Sequence, residues 1–231
     1  IIPYSTLEKF ISSDDVVYKV YNTNNPGMIF SWGKLDVDAT GFGYDLMRHS
    51  KAFFCASSEL IGLYDEGNDL RFSRYYDKYD FNNYDEGIFY VATKNYCKAS
   101  TANEAYDQAL RLEEAYLNRA EAYIEKGEHE LGMDDVNAIR AERIKGEYEL
   151  VANSVDEARE FYRLEKRLEF SFEGLRWFDI RRLWNDPLFQ EDKQNYTHTD
   201  GQNIYTLTED RLTYRIPPRV MSFNSGWVDN N

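Results

Sequence analysis

Two glutamates four residues apart, Glu169 and Glu173, stand with Arg167, Arg176, Arg181 and Arg182 in the densest run of ionisable side chains in the sequence. Helical spacing puts the two carboxylates on one face. A pair of close carboxylates is the working unit of many glycosidases. The neighbouring guanidinium groups argue for another use, because they stabilise ionised carboxylates, whereas a general acid must hold its proton near neutral pH. Two groups on one helix are also badly placed to flank a glycosidic bond. The cluster therefore reads as a structural ion-pair network, and no residue is assigned a catalytic role.

Other constellations are weaker still. His49, His129 and His198 are far apart, and none sits in a metal-binding spacing. There is no Gly-x-Ser-x-Gly turn and no phosphate-binding glycine loop. Neither Asn153-Ser154-Val155 nor Asn195-Tyr196-Thr197-His198 pairs a nucleophile with an evident base. Asp65-Glu66-Gly67-Asn68-Asp69 gathers carboxylates but lacks the alternating ligands and closing glutamate of a calcium loop, so it reads as a structural turn. Cys55 and Cys97 form no CxxC pair. They read either as one disulfide or as two buried thiols. No metal or cofactor is expected.

Aromatic residues offer a different chemistry. Trp32, Phe42 and Tyr44 lie among glycines, and Tyr21 precedes a stretch rich in Asn, Pro and Gly. Rings on turn-forming segments either plug a loop onto the core or face a ligand. Sugars suit such rings, since C–H groups stack on the face while hydroxyls hydrogen-bond nearby. Trp32 and Tyr44, followed by Phe42 and Tyr21, are the candidate ligand contacts.

The elements that must hold these residues fall into three stretches. Residues 1–56 are loop-rich, with a candidate strand over 15–21 and a turn or long loop from Asn22 to Gly33. Next comes a short helix from Ser57 to Tyr64, then a hairpin from Tyr75 to Tyr96 whose clearest strand is Ile88–Val91. From Glu104 to Lys126, Ala105, Ala109, Leu112, Tyr116, Ala120 and Tyr123 recur on one helical face. Gly127 ends that helix. A second helix, Leu131 to Arg143, turns Leu131, Val136 and Ile139 inward and completes a hairpin resembling one tetratricopeptide repeat. Ser154 and Glu157 open a third helix as a capping box, with Phe161, Leu164, Leu168 and Phe172 as its apolar stripe. Leu175 to Trp184 is a short helix stopped by Asn185-Asp186-Pro187. The tail is irregular, with one β-like segment at Thr213–Ile216. The fold class is mainly α, with minor β and a loop-rich carboxy-terminal part, in a single region over 1–231.

Composition narrows the function classes. A chain of 231 residues that is 42% hydrophobic can build a core, and 16% aromatic content leaves rings for binding. The net charge of −14, from 27 basic and 41 acidic residues, disfavours nucleic acid and electrostatic docking on anionic membranes. No run of about 18 apolar residues exists to span a bilayer. The chain opens on Ile1-Ile2-Pro3 without a methionine or signal segment and is expected to be processed or truncated.

Several of these segments resemble the SusD/RagB-like family. Leu112-Glu113-Glu114-Ala115-Tyr116-Leu117-Asn118-Arg119-Ala120-Glu121-Ala122-Tyr123 is similar to its RLAE-x-YL-x-RAEAY segment, and Asn137 to Arg143 to the following N-x-IR-x-R. Leu164 to Arg182 resembles ERR-x-EL-x-FEG-x-R-x-x-DLRR, with Lys166 and Ile180 as mild departures. Ser58 to Tyr64 with Asp69-Leu70-Arg71 resembles SEL-x-x-x-Y…D-x-R, and Arg215-Ile216-Pro217 with Asn224 resembles the closing x-IP…N. These pieces occur in family order over roughly residues 15–225.

The resemblance implies a helical fold with tetratricopeptide-like repeats, whose amino-terminal half and lipid-attachment cysteine are missing here. It also implies a surface lipoprotein of the outer membrane, anchored by that amino-terminal lipid. Such a protein binds oligosaccharides and passes them, without cleavage, to a SusC-like TonB-dependent transporter. The motifs are scaffold and confer no binding residues. The alternatives are a glycoside hydrolase and a helical-repeat adaptor for other proteins.

Overall fold

In the computed structural model, residues 25, 27–32, 55–80, 88–92, 94, 108–189, 196–199, 202–224 and 226–228 are described. The chain divides into two compact units, 1–173 and 174–231. The candidate strand at 15–21, together with Tyr21, Phe42, Tyr44 and Cys97, lies outside the described residues.

In the first unit, β1 (Met28–Trp32) is followed by α1 (Ser58–Ile61), α2 (Leu70–Tyr75), β2 (Tyr76–Asp80), β3 (Ile88–Ala92) and β4 (Gln108–Arg111). Three longer helices follow: α3 (Leu112–Glu125), α4 (His129–Arg143) and α5 (Val155–Glu169). Helix outweighs strand, as the sequence periodicity implies. The expected 75–96 hairpin is present as β2 against β3, antiparallel, with Asp77 opposite Val91 and Tyr79 opposite Phe89. Between α1 and α2, Asp65 accepts hydrogen bonds from the Gly67 and Asn68 amides at 3.1 and 3.3 Å. Its carboxylate closes the turn, which is the structural role expected of it.

Two boundaries differ from the sequence reading. Trp32 ends a strand rather than lying in a loop, because β1 pairs antiparallel with β4, Trp32 opposite Gln108 and Phe30 opposite Leu110. The same pairing holds Gln108–Arg111 extended, so the long helix starts at Leu112. Arg111 is thereby turned into the interior, where it is 1% exposed.

The α3–α4 hairpin closes around small residues. Gly127 reverses the chain at φ +85°, a conformation that favours glycine. Ala120, Ile124, Val136 and Ile139 are buried between the helices, whereas Leu131, expected inward, is 48% exposed. Gly132 takes the inward place one residue on. A β-carbon there would stand 2.6 Å from the Ile124 side chain and 2.8 Å from the Ala120 carbonyl oxygen.

The stripe of α5 also differs. Its cap forms as expected, with Ser154 Oγ accepting from the Glu157 amide at 3.1 Å. Glu157 reaches back one residue further than a capping box requires and accepts from the Asn153 amide at 2.7 Å. The buried side is Ala158, Tyr162, Glu165, Leu168 and Glu169, while Leu164 is exposed and Phe161 half-buried. Two carboxylates occupy core positions because cations meet them there.

The second unit contains α6 (Arg176–Leu183), a 3₁₀ turn at Pro187–Phe189, the β5 (Thr197–Thr199) and β6 (Ile204–Thr206) hairpin, a 3₁₀ turn at Glu209–Leu212 and α7 (Pro218–Ser222). Ile180, Leu183, Trp184 and Phe189 form its core, with Tyr196, Leu207 and Leu212 packed against them. Thr213–Ile216, read as β-like, forms no strand. The hairpin lies upstream instead, in a polar stretch with too little alternation to reveal it.

Candidate functional site

The Glu169–Glu173 cluster is the strongest chemical constellation in the sequence, and the structure makes it a buried ionic lattice. Helix α5 ends at Glu169, and the chain reverses through Phe172 at φ +62° and Gly174 at φ +81°. Glu169 Oε1 accepts from Arg111 Nη1 at 2.9 Å and Arg143 Nη2 at 3.2 Å, and its Oε2 accepts from Arg143 Nε at 3.0 Å. Arg71 Nη1 stands 3.5 Å from Oε2, and the Tyr75 hydroxyl donates to Oε1 at 3.0 Å. Glu173 takes both Nε and Nη2 of Arg111, at 3.2 and 2.7 Å, and Lys94 Nζ at 2.8 Å.

The lattice extends outward. Arg71 binds Asp69 through Nε and Nη2 and donates to Glu165 at 2.6 Å. Arg143 reaches Glu113 at 2.9 Å, and Arg140 reaches the second oxygen of Glu165 at 3.0 Å. Arg71, Lys94, Arg111, Arg140 and Arg143 thus face Asp69, Glu113, Glu165, Glu169 and Glu173. Among the described residues the charges balance one for one, which such burial demands, since an uncompensated interior charge is strongly destabilising.

The network was expected, but its partners were not. Arg167 lies on the surface and grips Glu59, and Arg182 holds Asp179. The cations that meet Glu169 come from 98, 58 and 26 residues away. The signal for them was present in the motifs. Asp69 and Arg71, Glu113, Arg140 and Arg143, and Glu165, Glu169 and Glu173 all lie in segments quoted above for the family resemblance. Arg111 immediately precedes one of them.

The electrostatics oppose acid–base work. Burial alone raises the Glu169 carboxyl, but Arg143, Arg111 and Arg71 outweigh it and hold it well below the usual glutamate range. Glu173 is likewise lowered, burial being overcome by Arg111 and Lys94. Both are poor proton donors at neutral pH. Their side chains are 0% and 5% exposed, so a substrate does not reach them.

A family model, the SusD family, matches residues 18–228. The chain belongs to the SusD family. Among solved structures, it is similar to the crystal structure of a SusD-like protein from Bacteroides fragilis NCTC 9343. The identity is 19% and the TM-score 0.56, over 93% of this chain and 56% of that one. That likeness shows a shared fold, and this chain spans a little over half the length of its structural relative. No curated protein matches.

The SusD-family chain carries its nominated ligand contacts largely outside the described residues. Tyr21, Phe42 and Tyr44 fall there, and Trp32 is placed by its backbone at the end of β1. Cys55 is half-buried, and burial pushes its thiol up. Among the described residues, no helix is long and apolar enough to cross a membrane.

Proposed function

We propose that the protein is a non-catalytic glycan-binding component of a polysaccharide uptake system. It holds oligosaccharides at the cell surface as an outer-membrane lipoprotein and passes them to a SusC-like TonB-dependent transporter. The observation that carries this reading is the fate of the motif charges. Within the segments that define the family resemblance, Asp69, Arg71, Glu113, Arg140, Arg143, Glu165, Glu169 and Glu173 are spent on a buried, balanced lattice, which supports a scaffold role for them. Ligand contact is left to aromatic residues elsewhere, for which Trp32, Tyr44, Phe42 and Tyr21 are the nominees.

A few ring–sugar contacts, each removing apolar surface at about 25 cal/mol per Å², less the cost of association, support micromolar-to-millimolar affinity. That range suits a carrier that must release its cargo. The test is calorimetry of the full protein against a panel of polysaccharide-derived oligosaccharides, with chromatography of the same mixtures. Binding without chain shortening is expected. Shortened chains overturn the non-catalytic reading. Trp32→Ala is expected to weaken binding roughly tenfold, about 1.4 kcal/mol, and unchanged affinity would remove Trp32 from the site.

A further inference from the structure

We propose that the open cleft within the 174–231 unit is an additional saccharide subsite, shaped for a neutral sugar ring. This rests on the glycan-binding reading above and gives it a second location. The cleft has a volume of about 690 Å³, inside the roughly 300–1,000 Å³ span of small-ligand sites. Trp177, Tyr196 and Tyr205 supply aromatic walls, while Thr206, Asp210 and Arg211 supply polar groups.

Two of the rings are held in place before any ligand arrives. Trp177 stacks on Tyr214 with ring centres 5.2 Å apart and planes at 30°. Tyr196 lies 5.7 Å from Phe189 and accepts a hydrogen bond from Arg176 at its hydroxyl. Fixed rings lose little side-chain entropy on binding. Tyr205, 52% exposed on β6, adds a third ring to the lining.

Trp177 Nε1 is buried, with no hydrogen-bond partner among the described residues, in a side chain that lines the cleft, so its indole N–H reports on any ligand packed against the ring.

The polar groups select the ligand class. Asp210 and Arg211 stand 3.7 Å apart, both largely exposed. A hydrogen bond from Thr208, aided by Arg211 and Arg215, holds the Asp210 carboxyl below its ordinary range. Glu209 and Asp210 offset Arg211 and Arg215 in this segment, so a charged ligand gains little. Asp210 and Arg211 offer acceptors and donors to adjacent hydroxyls. Aromatic faces for C–H groups, a threonine hydroxyl and offset charges describe a site for a neutral polyhydroxylated ring.

The test is ¹H–¹⁵N NMR of the full chain with four neutral probes: malto-, cello-, xylo- and mannohexaose. The indole cross-peak is assigned as the one that Trp177→Phe removes. At least one probe is expected to shift that peak, with Tyr205→Ala and Asp210→Asn each weakening the shift-derived affinity at least tenfold. Both substitutions are at exposed positions, and circular dichroism verifies their folds. If a probe binds while the Trp177 peak stays still and both variants keep their affinity, the subsite is overturned and the glycan-binding reading survives. If p-cresol shifts the peak and no hexaose does, the cleft is apolar and the proposal fails. If no hexaose binds the chain at all, the proposal fails together with the reading on which it rests.

Discussion

At Glu169, one carboxylate serves Arg71, Arg111 and Arg143 at once. Exposure decides what such pairing is worth. An exposed pair such as Arg167–Glu59, whose side chains are 19% and 47% exposed, contributes about 0–1 kcal/mol. Removing one partner from a buried cluster costs about 3–5 kcal/mol, because the others keep their desolvation penalty without compensation. Glu169→Gln is therefore expected to lower the urea-unfolding free energy by that larger amount, and Glu59→Gln by under about 1 kcal/mol. Equal effects would refute the lattice as a stability element. The folded-state carboxyls of Glu169 and Glu173 are depressed. Their contribution is complete above the unfolded value of about 4.3 and is lost as pH falls through the folded values, so the gap between wild type and Glu169→Gln narrows in acid. Lys94 behaves oppositely. Burial, resisted by Glu173, pulls it down to about 8, below the ordinary value of about 10.4. Between those values the unfolded chain keeps a proton that the folded chain releases, so this group's contribution to stability rises from about pH 8 to about pH 10. Urea titrations across that window are expected to show a rise in wild type that Lys94→Met lacks. At this scale the sequence disclosed the carboxylates and their structural purpose. It hid their partners, because contacts across 58 or 98 positions leave no local spacing to read.

Helices were legible where apolar periodicity does the positioning and illegible where charge does. The α3–α4 hairpin, its Gly127 stop and the Ser154 cap all follow from local rules. The α5 stripe does not. Phe161 and Leu164 look like core by hydropathy, yet Tyr162, Glu165 and Glu169 are buried, since paired carboxylates are core residues that no hydropathy scale marks as such. Likewise β4 looks helical until its partner strand, some eighty positions upstream by the Met28–Arg111 register, is known. Gly132 tests the hairpin. Replacing a helix-interior glycine with alanine ordinarily gains about 1 kcal/mol of propensity. Here the new methyl would stand 2.8 Å from a backbone oxygen of the facing helix, which cannot rotate away as a side chain can. Overpacking of this kind costs about 1–3 kcal/mol, enough to cancel or reverse the gain. Gly132→Ala is expected to lower the melting temperature, and a rise would show that the helices part more easily than their packing suggests.

On the scale of the whole molecule, the motifs that identify the SusD family and the residues proposed to contact a glycan are separate sets. The lattice holds many of the former's charges, whereas Tyr21, Trp32, Phe42 and Tyr44 sit in segments whose chemistry no local rule ties to a sugar. Net charge acts at this scale, and the −14 of this sequence bears on the glycan binding proposed above. A like-charged glycan such as polygalacturonate approaches against that field, while a neutral one does not feel it. The field reaches about 30 Å at about 0.01 M salt and about 8 Å at about 0.15 M. Raising salt over that range is therefore expected to leave neutral oligosaccharide affinity within about twofold, because stacking and hydrogen bonds are short-ranged. Any binding of polygalacturonate should strengthen several-fold over the same range, chiefly through a faster association rate, since screening removes repulsion from the encounter rather than from the bound contacts. Surface plasmon resonance at the two salt concentrations separates the rates. Polygalacturonate binding that weakens with salt would mean that a local basic patch, rather than the net field, governs recognition.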